Sequence, residues 1–177
     1  MQSYIVNGGE KIEGRISSSG SKNSSLPILA ATILNKGITK LKNVPNIHDT
    51  KIMFEIMELL GCKIECDKNE VVIDSRNINY YEIPDELMRQ MRSSVILAGA
   101  ILSRTKKAIF SYPGGCDIGA RPIDLHLKSF ENLGIEIKEE NGKIFCNSLN
   151  MEDGTITLDF PSVGATENII LAATLSN

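Results

Sequence analysis

The sequence predicts an α/β fold in which β-α-β-α-β-β units repeat around buried helices, with the third unit incomplete. The first observation is an apolar stretch that occurs three times, at residues 24–34, 93–102 and 167–175. The second is an amphipathic stretch that ends in Leu-Gly and continues as alternating residues, at 57–65 and again at 130–137. Self-similarity at a regular spacing indicates one structural unit used repeatedly.

The composition is that of an ordinary globular protein. The chain has 177 residues, of which 42% are apolar, and 19 Lys and Arg face 22 Asp and Glu, for a net charge of −3. This balance argues against a disordered chain and against a nucleic-acid binder that relies on bulk positive charge. Apolar runs such as residues 95–102 fall far short of the roughly 20 residues that cross a bilayer, so no membrane span is predicted. The N-terminus lacks the basic and apolar regions of a signal peptide, which predicts a cytoplasmic protein.

The first unit contains six predicted elements. Ile28 corresponds to Ile96 and then to Ile170, so a unit spans about 70 residues. The first helix is apolar nearly all round, which predicts burial at the centre of the domain. The second is amphipathic, follows a candidate N-cap at Asp49 and is expected on the outside. The elements are a strand at 14–18, a helix at 24–34, a strand at 38–41, a helix at 50–60, and two strands at 62–66 and 70–74.

The second unit repeats this order, and a third is begun. Its amphipathic helix is predicted at 122–133, where Pro122 suits the first helical turn. Asn141-Gly142 predicts a tight hairpin between the two closing strands. The third unit starts near residues 155–158 and reaches only its first helix. We therefore expect full repeats at about 20–76 and 80–148, and a partial third at about 154–177.

The four cysteines are predicted to be free thiols, since the chain has no leader and is not a small secreted scaffold. They are Cys62, Cys66, Cys116 and Cys146. Cys62, Ile64 and Cys66 alternate along one face of a strand, which favours buried apolar packing. No His or Cys pair at ligand spacing completes a metal site, so no metal is predicted.

The starts of the repeated helices carry small or polar residues. Gly20-Ser21-Lys22-Asn23 precedes the first helix, and unpaired N–H groups, hydroxyls and one cation suit a phosphate or carboxylate there. Arg92 opens the second central helix, and residues 160–168 open the third. A Ser-rich cap with a solvated lysine, an exposed arginine and a plain connection are the respective alternatives. Three equivalent starts of this kind favour a shared ligand-binding pole.

The loop at residues 111–122 is the most informative segment. It holds three glycines, two prolines and one thiol, Cys116, which lies in a loop rather than on a strand face. Asp117 opposes formation of the thiolate and Arg121 favours it, so a reactive thiol and an incidental surface cysteine both remain open. No base is placed for a thiol protease. Of the two histidines, His126 falls in the amphipathic helix and His48 is predicted at the surface.

Five motifs together carry a resemblance that covers the whole chain. They are YIVNGG at 4–9, GSKN at 20–23, PGGC at 113–116, GARPIDLH at 119–126 and SVGAT at 162–166. With these motifs the chain resembles the UDP-N-acetylglucosamine enolpyruvyl transferases. The cysteine loop joined to the Arg-Pro-x-Asp-Leu-His run separates these enzymes from the sister 5-enolpyruvylshikimate-3-phosphate synthases, which lack the thiol loop. A shikimate-pathway enzyme is therefore disfavoured.

The resemblance implies transfer of enolpyruvyl from phosphoenolpyruvate to the 3′-hydroxyl of UDP-N-acetylglucosamine, with release of phosphate and without a metal or other cofactor. It implies that Cys116 is the general acid, forms a covalent adduct and is alkylated by fosfomycin. It further implies that Lys22 and Asn23 contact phosphoenolpyruvate, that Arg92 and Arg121 bind anionic groups, and that Lys22 and Arg121 serve the reacting centre. The residues implied to line the nucleotide-sugar site are Arg121, Pro122, Ile123, Asp124, Leu125, Ser162, Val163 and Gly164.

The family fold is an inside-out α/β barrel domain used twice, with the active site in the cleft between the two domains. By this resemblance, residues 1–19 form an opening hairpin that packs on the second domain, and residues 20–177 form the catalytic N-terminal domain. The second domain supplies an aspartate base and further arginines. We therefore expect an N-terminal portion that lacks turnover alone and whose partner is the C-terminal half. The rival interpretation is a non-catalytic module that binds a nucleotide sugar or pairs with another subunit.

Overall fold

Helices and two small antiparallel sheets alternate along the chain. The structure, a computed structural model, describes residues 3–9, 11–114, 123–152 and 154–175. The predicted α/β fold of repeated units is confirmed. The elements are α1 (Lys22–Thr32), β1 (Ile38–Lys42), α2 (His48–Leu59), β2 (Lys63–Asp67), β3 (Glu70–Asp74), α3 (Asp85–Gln90), a 3-10 turn (Arg92–Val95), α4 (Ile96–Thr105), β4 (Lys107–Ser111), α5 (Asp124–Asn132), β5 (Glu136–Glu140), β6 (Lys143–Asn147) and α6 (Val163–Ala173).

The two sheets are copies of each other. The first has the strand order β1-β3-β2 and the second β4-β6-β5, and every pair is antiparallel. The registers correspond, because Lys40 lies opposite Val72 in the first sheet and Ile109 lies opposite Phe145 in the second. The hairpin turns at Asn141-Gly142 as predicted. Each repeat thus contributes one complete three-stranded sheet.

The outer edges of β1 and β4 differ. Beside β4, a short segment runs parallel: the Ile83 N–H donates to the Ile109 carbonyl at 2.8 Å, and the Ile109 N–H donates to the Tyr81 carbonyl at 2.9 Å. Within the described ranges no segment pairs with the same edge of β1. The second sheet therefore has the first strand of its unit, in the form of a single bridge, and the first sheet lacks it.

Two predicted strands do not form. Residues 14–18 lie in an exposed, irregular segment that precedes α1, and residues 155–158 lie in an irregular segment that precedes α6. The predictions were wrong because alternating residues form a strand only when a neighbouring strand accepts their backbone hydrogen bonds. Neither segment has such a neighbour among the residues that the structure describes. The assignment of residues 1–19 to a second domain stays a prediction.

Among the helices that the structure describes, only α4 is buried along most of its length. Its residues from Ile96 to Ser103 are all buried, and it packs mainly on α6 and also on α1. The equivalent helices α1 and α6 expose large apolar residues: Ile28 of α1 at 49%, and Val163 and Ile170 of α6 at 76% and 60%. The predicted central burial therefore holds for α4, whereas α1 and α6 each keep one face open because they flank it.

The amphipathic helices lie outside as predicted, with a different start. Helix α2 begins at His48, which is exposed, and its N-terminus is held by the Thr50 hydroxyl, which accepts from the Ile47 N–H at 3.3 Å and donates to the Pro45 carbonyl at 2.8 Å. Asp49 is therefore not the N-cap. Helix α5 begins at Asp124, and the predicted start at Pro122 lies outside the described residues.

The Leu-Gly ends of both amphipathic helices adopt the geometry that glycine permits. Gly61 and Gly134 have φ values of 109° and 74°, in the left-handed region that side-chain-bearing residues avoid. After Gly61, the Cys62 N–H returns to the Met57 carbonyl at 3.0 Å, and the Ile135 N–H returns to Phe130 at the same distance. This is the predicted glycine cap, and it turns each chain into its hairpin.

The cysteines split into two environments. Cys62 and Cys146 are buried, whereas Cys66 is exposed on β2. The predicted burial of Cys66 was wrong because β2 is an edge strand whose residues are mostly exposed, and even Ile64 is only partly covered. Cys116 lies outside the described residues. Across the described ranges, no helix has the length and apolar character needed to span a membrane.

Replacing Gly99 in α4 tests how closely α4 and α6 approach. A Cβ at this position would lie 2.3 Å from the Asn168 carbonyl oxygen, so Gly99→Ala forces the helices apart. We expect a loss of about 1–3 kcal/mol in the free energy of unfolding, measured by urea denaturation. On a solvent-exposed helix face, a Gly→Ala change instead raises the free energy of unfolding. Gly154→Ala, where nothing lies within 4 Å, is the control. A more stable Gly99→Ala protein would contradict the close packing.

Candidate functional site

A cavity of about 680 Å³ lies where the starts of α1, the 3-10 turn and α6 meet. The structure thus brings the three predicted helix starts to one place. Some of the lining residues were predicted from the sequence as site residues: Lys22, Asn23, Arg92, Ser162, Val163 and Gly164. The other lining residues were not predicted: Leu26, Pro27, Asp49, Gln90, Met91, Ser93, Val95, Ile96, His126 and Glu167.

The start of α1 is fixed by a serine cap and a backbone contact. The Ser21 hydroxyl accepts from the Ser24 N–H at 3.4 Å. Gly20 packs so closely on β1's end that a Cβ there would lie 1.8 Å from the Asn43 carbonyl oxygen. Any larger residue would push the helix start away from its sheet. Lys22 and Asn23 consequently project from a firmly held first turn into the cavity wall.

Lys22 pairs with Asp49 across the cavity mouth. Its Nζ lies 2.9 Å from the Asp49 Oδ2, and the lysine side chain is half exposed. A pair this exposed contributes little to stability, of the order of 0–1 kcal/mol. The contact places the ammonium group beside the Asp49 carboxylate, and both residues line the cavity. The sequence predicted Asp49 only as a helix cap. Its place in the first turn of α2 was the sequence feature that could have indicated its position at the site.

Arg92 begins the 3-10 turn that leads into α4 and is partly buried. The turn is tied down by the Ser94 hydroxyl, which donates to the Met91 carbonyl at 2.5 Å. Arg92 lies close enough to His126 for its charge to affect that ring. A guanidinium on a short, fixed turn can bind an anion with little loss of side-chain freedom.

The start of α6 forms a further part of the cavity wall. The Ser162 hydroxyl accepts from the Ala165 N–H at 3.2 Å, as an N-cap does. Gly164 lies against the His126 ring, whose Cε1 and Nε2 are 3.5 and 3.6 Å from the position of a Cβ on Gly164. Val163 is largely exposed at the rim. Two helix N-termini, of α1 and α6, therefore meet at the cavity.

His126 is the site residue that the sequence analysis placed on a helix without a role. It is 7% exposed, and burial, reinforced by the charge of Arg92, lowers its pKa to about 4. The ring is thus neutral at pH 7. Its Nδ1 lies 3.0 Å from the Asn168 Nδ2. The sequence feature that could have indicated a role for His126 is its place directly after residues 121–125, which were predicted to line the nucleotide-sugar site.

Several predicted site residues lie elsewhere. Ile123 is buried in the core, Asp124 is exposed in the first turn of α5, and Leu125 is partly buried; none of the three lines this cavity. Cys116, Arg121 and Pro122 lie outside the described residues. Their roles stay predictions.

The described cavity wall is balanced in charge. Lys22 and Arg92 face Asp49 and Glu167, and burial raises the pKa of the Glu167 carboxyl. Affinity for an anion there rests on fixed N–H groups at the two helix starts as well as on the two cations. None of the described thiols lines the cavity. The described wall thus offers two cations and two helix N-termini to an anionic group.

Comparison with protein families identifies the group to which the chain belongs. The model described as EPSP synthase (3-phosphoshikimate 1-carboxyvinyltransferase) matches residues 6–177. The chain belongs to this family. Among solved structures, the enolpyruvyl transferase NikO from Streptomyces tendae matches with a TM-score of 0.77 and 22% identity, over 94% of this chain and 39% of that one. An EPSP synthase from Acinetobacter baumannii matches with a TM-score of 0.69 and 18% identity, over 90% of this chain and 38% of that one. These likenesses show the fold.

Curated relatives are more similar in sequence. UDP-N-acetylglucosamine 1-carboxyvinyltransferase 2 of Caldanaerobacter subterraneus subsp. tengcongensis is 52% identical over 177 residues, which is 100% of this chain and 42% of the relative. The protein of the same name from Carboxydothermus hydrogenoformans is 45% identical over 176 residues, 99% of this chain and 42% of the relative. The chain therefore spans less than half the length of the relatives it matches.

The described thiols should differ in reactivity. Burial raises the pKa of Cys62 to about 11 and that of Cys146 to about 12, so at pH 8 only about one Cys62 in a thousand is a thiolate. We expect iodoacetamide at pH 8 to label neither residue in the folded chain and both in urea, as measured by peptide mass spectrometry. Exposed Cys66 is the internal control. Equal labelling rates for Cys62 and Cys66 would contradict this.

Proposed function

We propose that this chain forms the N-terminal half of the active site of a UDP-N-acetylglucosamine enolpyruvyl transferase. The reaction transfers enolpyruvyl from phosphoenolpyruvate to the 3′-hydroxyl of UDP-N-acetylglucosamine and releases phosphate. We place it in the cytoplasm, as the first committed step of peptidoglycan synthesis. The observation that carries the proposal is the convergence of Lys22, Asn23, Arg92 and residues 162–164 on one cavity. The 52% identity to a relative named for this activity supports the choice within the family.

Lys22 and Asn23 are the proposed contacts to phosphoenolpyruvate. The first turn of α1 offers backbone N–H groups and the positive end of the helix dipole, both of which favour a phosphate. Asp49 holds the Lys22 ammonium at 2.9 Å and keeps it at the cavity mouth. A fixed cation stabilises charge that develops in the transition state without having to reorganise.

Arg92 and the start of α6 are the proposed contacts to the nucleotide sugar. The turn that carries Arg92 and the Ser162 cap both line the cavity. A diphosphate there meets a guanidinium and helix N–H groups together, which is the combination that binds such anions. Arg121 with residues 122–125 is the proposed continuation of this site, on the strength of the motif GARPIDLH.

Cys116 is the proposed proton donor. The motif PGGC at 113–116 supports this assignment. The described thiols support it indirectly, because none of Cys62, Cys66 and Cys146 lines the cavity, and burial raises the pKa values of Cys62 and Cys146, which makes them weak acids. A loop thiol between glycines has the access to substrate that those two lack.

Turnover is proposed to require the part of the relatives that this chain does not match. A chain that spans 42% of its relatives holds one wall of a cleft. The base that accepts the hydroxyl proton is assigned to the other wall, by resemblance to the family. We therefore expect this chain to bind ligand and not to turn over.

Calorimetric titration with UDP-N-acetylglucosamine, in the presence of phosphoenolpyruvate, tests the proposed site. We expect binding by the chain and at least a tenfold loss of affinity in Arg92→Ala, since a hydrogen bond to a charged group contributes about 1.5–3 kcal/mol. Arg76→Ala removes an exposed arginine whose partner is Asp74, remote from the cavity residues, and serves as the matched control. Unchanged affinity in Arg92→Ala would contradict the assignment.

Two further arms separate the alternatives. Tight binding of shikimate 3-phosphate in place of the nucleotide sugar would favour the sister enzymes. Phosphate release is then measured with the chain alone and with the rest of the Caldanaerobacter relative added. Turnover only in the mixture supports the transferase, whereas binding without turnover in the mixture favours the non-catalytic module.

Fosfomycin labelling tests the role of Cys116 and of the missing wall together. We expect intact-mass analysis to show slow or absent alkylation of the chain alone, because the family needs a closed two-domain cleft for this reaction. Addition of the complementary half with UDP-N-acetylglucosamine should accelerate it, and Cys116→Ser should abolish it. Rapid stoichiometric labelling of the chain alone would contradict the requirement for closure.

A further inference from the structure

One side-chain amide connects three helices behind the cavity. Asn168 of α6 is fully buried, and its Oδ1 accepts from the Gly99 N–H at 2.7 Å. Its Nδ2 donates to the Val95 carbonyl at 3.0 Å and contacts the His126 Nδ1 at 3.0 Å. All three contacts cross between elements, since Val95 and Gly99 belong to the entry into α4 and His126 to α5.

The backbone of α4 fixes the orientation of this amide. Val95 C=O and Gly99 N–H stand four residues apart, and they are the pair that an α-helix joins directly. The carbonyl can only accept and the N–H can only donate. The Asn168 oxygen must therefore face Gly99 and its nitrogen must face Val95. The reversed amide would set two donors and two acceptors against each other at distances of 2.7 and 3.0 Å.

The orientation of the amide in turn fixes the histidine. The second N–H of the Asn168 Nδ2 points at the His126 Nδ1, so that nitrogen is the acceptor. A neutral imidazole that accepts at Nδ1 carries its proton on Nε2. The Nε2 edge lies beside Gly164, at the cavity wall. The entry into α4 thus determines which atom His126 presents to a ligand.

We propose that Asn168 is a positioning residue that holds His126 as a neutral Nε2–H donor to the diphosphate of the nucleotide sugar. This inference rests on the proposed function for the identity of the ligand. Arg92 lines the same part of the cavity, and α6 presents its N-terminus there, so an anionic oxygen is the acceptor that this corner favours. The same amide also braces the turn that carries Arg92, through its bond to Val95.

Nitrogen-15 NMR of the imidazole rings in the intact chain tests, without a ligand, the clamp, that is, the hold of Asn168 on the His126 tautomer. Only two histidines are present, and His48 is exposed, so its ring provides the internal reference. We expect His126 at pH 7 to show a protonated Nε2 and an unprotonated Nδ1. In Asn168→Asp the carboxylate accepts from His126, so Nδ1 becomes protonated. Asn150→Asp, an exposed change of the same charge, should leave the ring unchanged.

Titration with UDP tests the donor role. We expect His126→Phe, which keeps a planar ring and loses the N–H, to lose at least tenfold in affinity. His126→Gln, whose amide reaches the Nε2 position with a donor, should retain affinity within about threefold. Circular dichroism checks that each variant is folded. The same titration with uridine, which lacks the diphosphate, should show no difference between the variants and the unmodified chain.

The outcomes distinguish the hold of Asn168 on His126 from the proposed donation by His126 to the diphosphate. A wild-type His126 that is protonated at Nδ1, or charged at pH 7, overturns the clamp whether or not Asn168→Asp folds. An Nε2–H tautomer with equal affinity of His126→Phe and wild type for UDP overturns the donor role. If the wild-type chain binds neither UDP nor UDP-N-acetylglucosamine, the proposed function fails, and the NMR result still decides the clamp.

Discussion

The architecture depends on the close approach of α4 and α6 at Gly99. A glycine there lets the Asn168 amide reach the backbone of α4, at 2.7 Å from the Gly99 N–H and 3.0 Å from the Val95 carbonyl. Buried polar groups stabilise a fold only when each is satisfied, and this amide uses its oxygen and both N–H groups. The apolar residues around it supply most of the burial energy. The hydrogen bonds of this amide fix the translation and the rotation of α6 relative to α4, which apolar packing alone leaves less specified.

That setting determines the geometry of the cavity. Helix α6 and the turn that carries Arg92 are joined by the same contact, while α1 is positioned separately by Gly20 against the end of β1. Helix starts that are fixed in this way present N–H groups without reorganisation when a ligand binds. The carboxylates Asp49 and Glu167 lie in the same cavity wall as Lys22 and Arg92 and compensate their positive charge.

Periodic features of the fold could be predicted from the sequence, and long-range polar contacts could not. Repeated apolar stretches and the Leu-Gly ends indicated the units, and helix starts such as Lys22 and Ser162 indicated the shared pole. The pairing of Lys22 with Asp49 and of His126 with Asn168 joins residues 27 and 42 positions apart, and no local pattern encodes such distances. The predicted strand at 14–18 was wrong for a related reason. An alternating pattern shows that a segment is able to form a strand, but the strand forms only if another strand pairs with it.

The unequal edges of the two sheets affect how copies of this chain meet one another. The outer edge of β4 is covered by its own chain, whereas no described segment covers that of β1. An uncovered edge is a template for pairing between molecules, and proteins commonly oppose this with charged side chains. Lys40 and Lys42 lie on β1 and share the Glu70 carboxylate, so this group keeps one net positive charge that two approaching copies would have to bring together. High salt screens this repulsion, so the β1 edge is the part of the described sheets where added salt most favours pairing between copies.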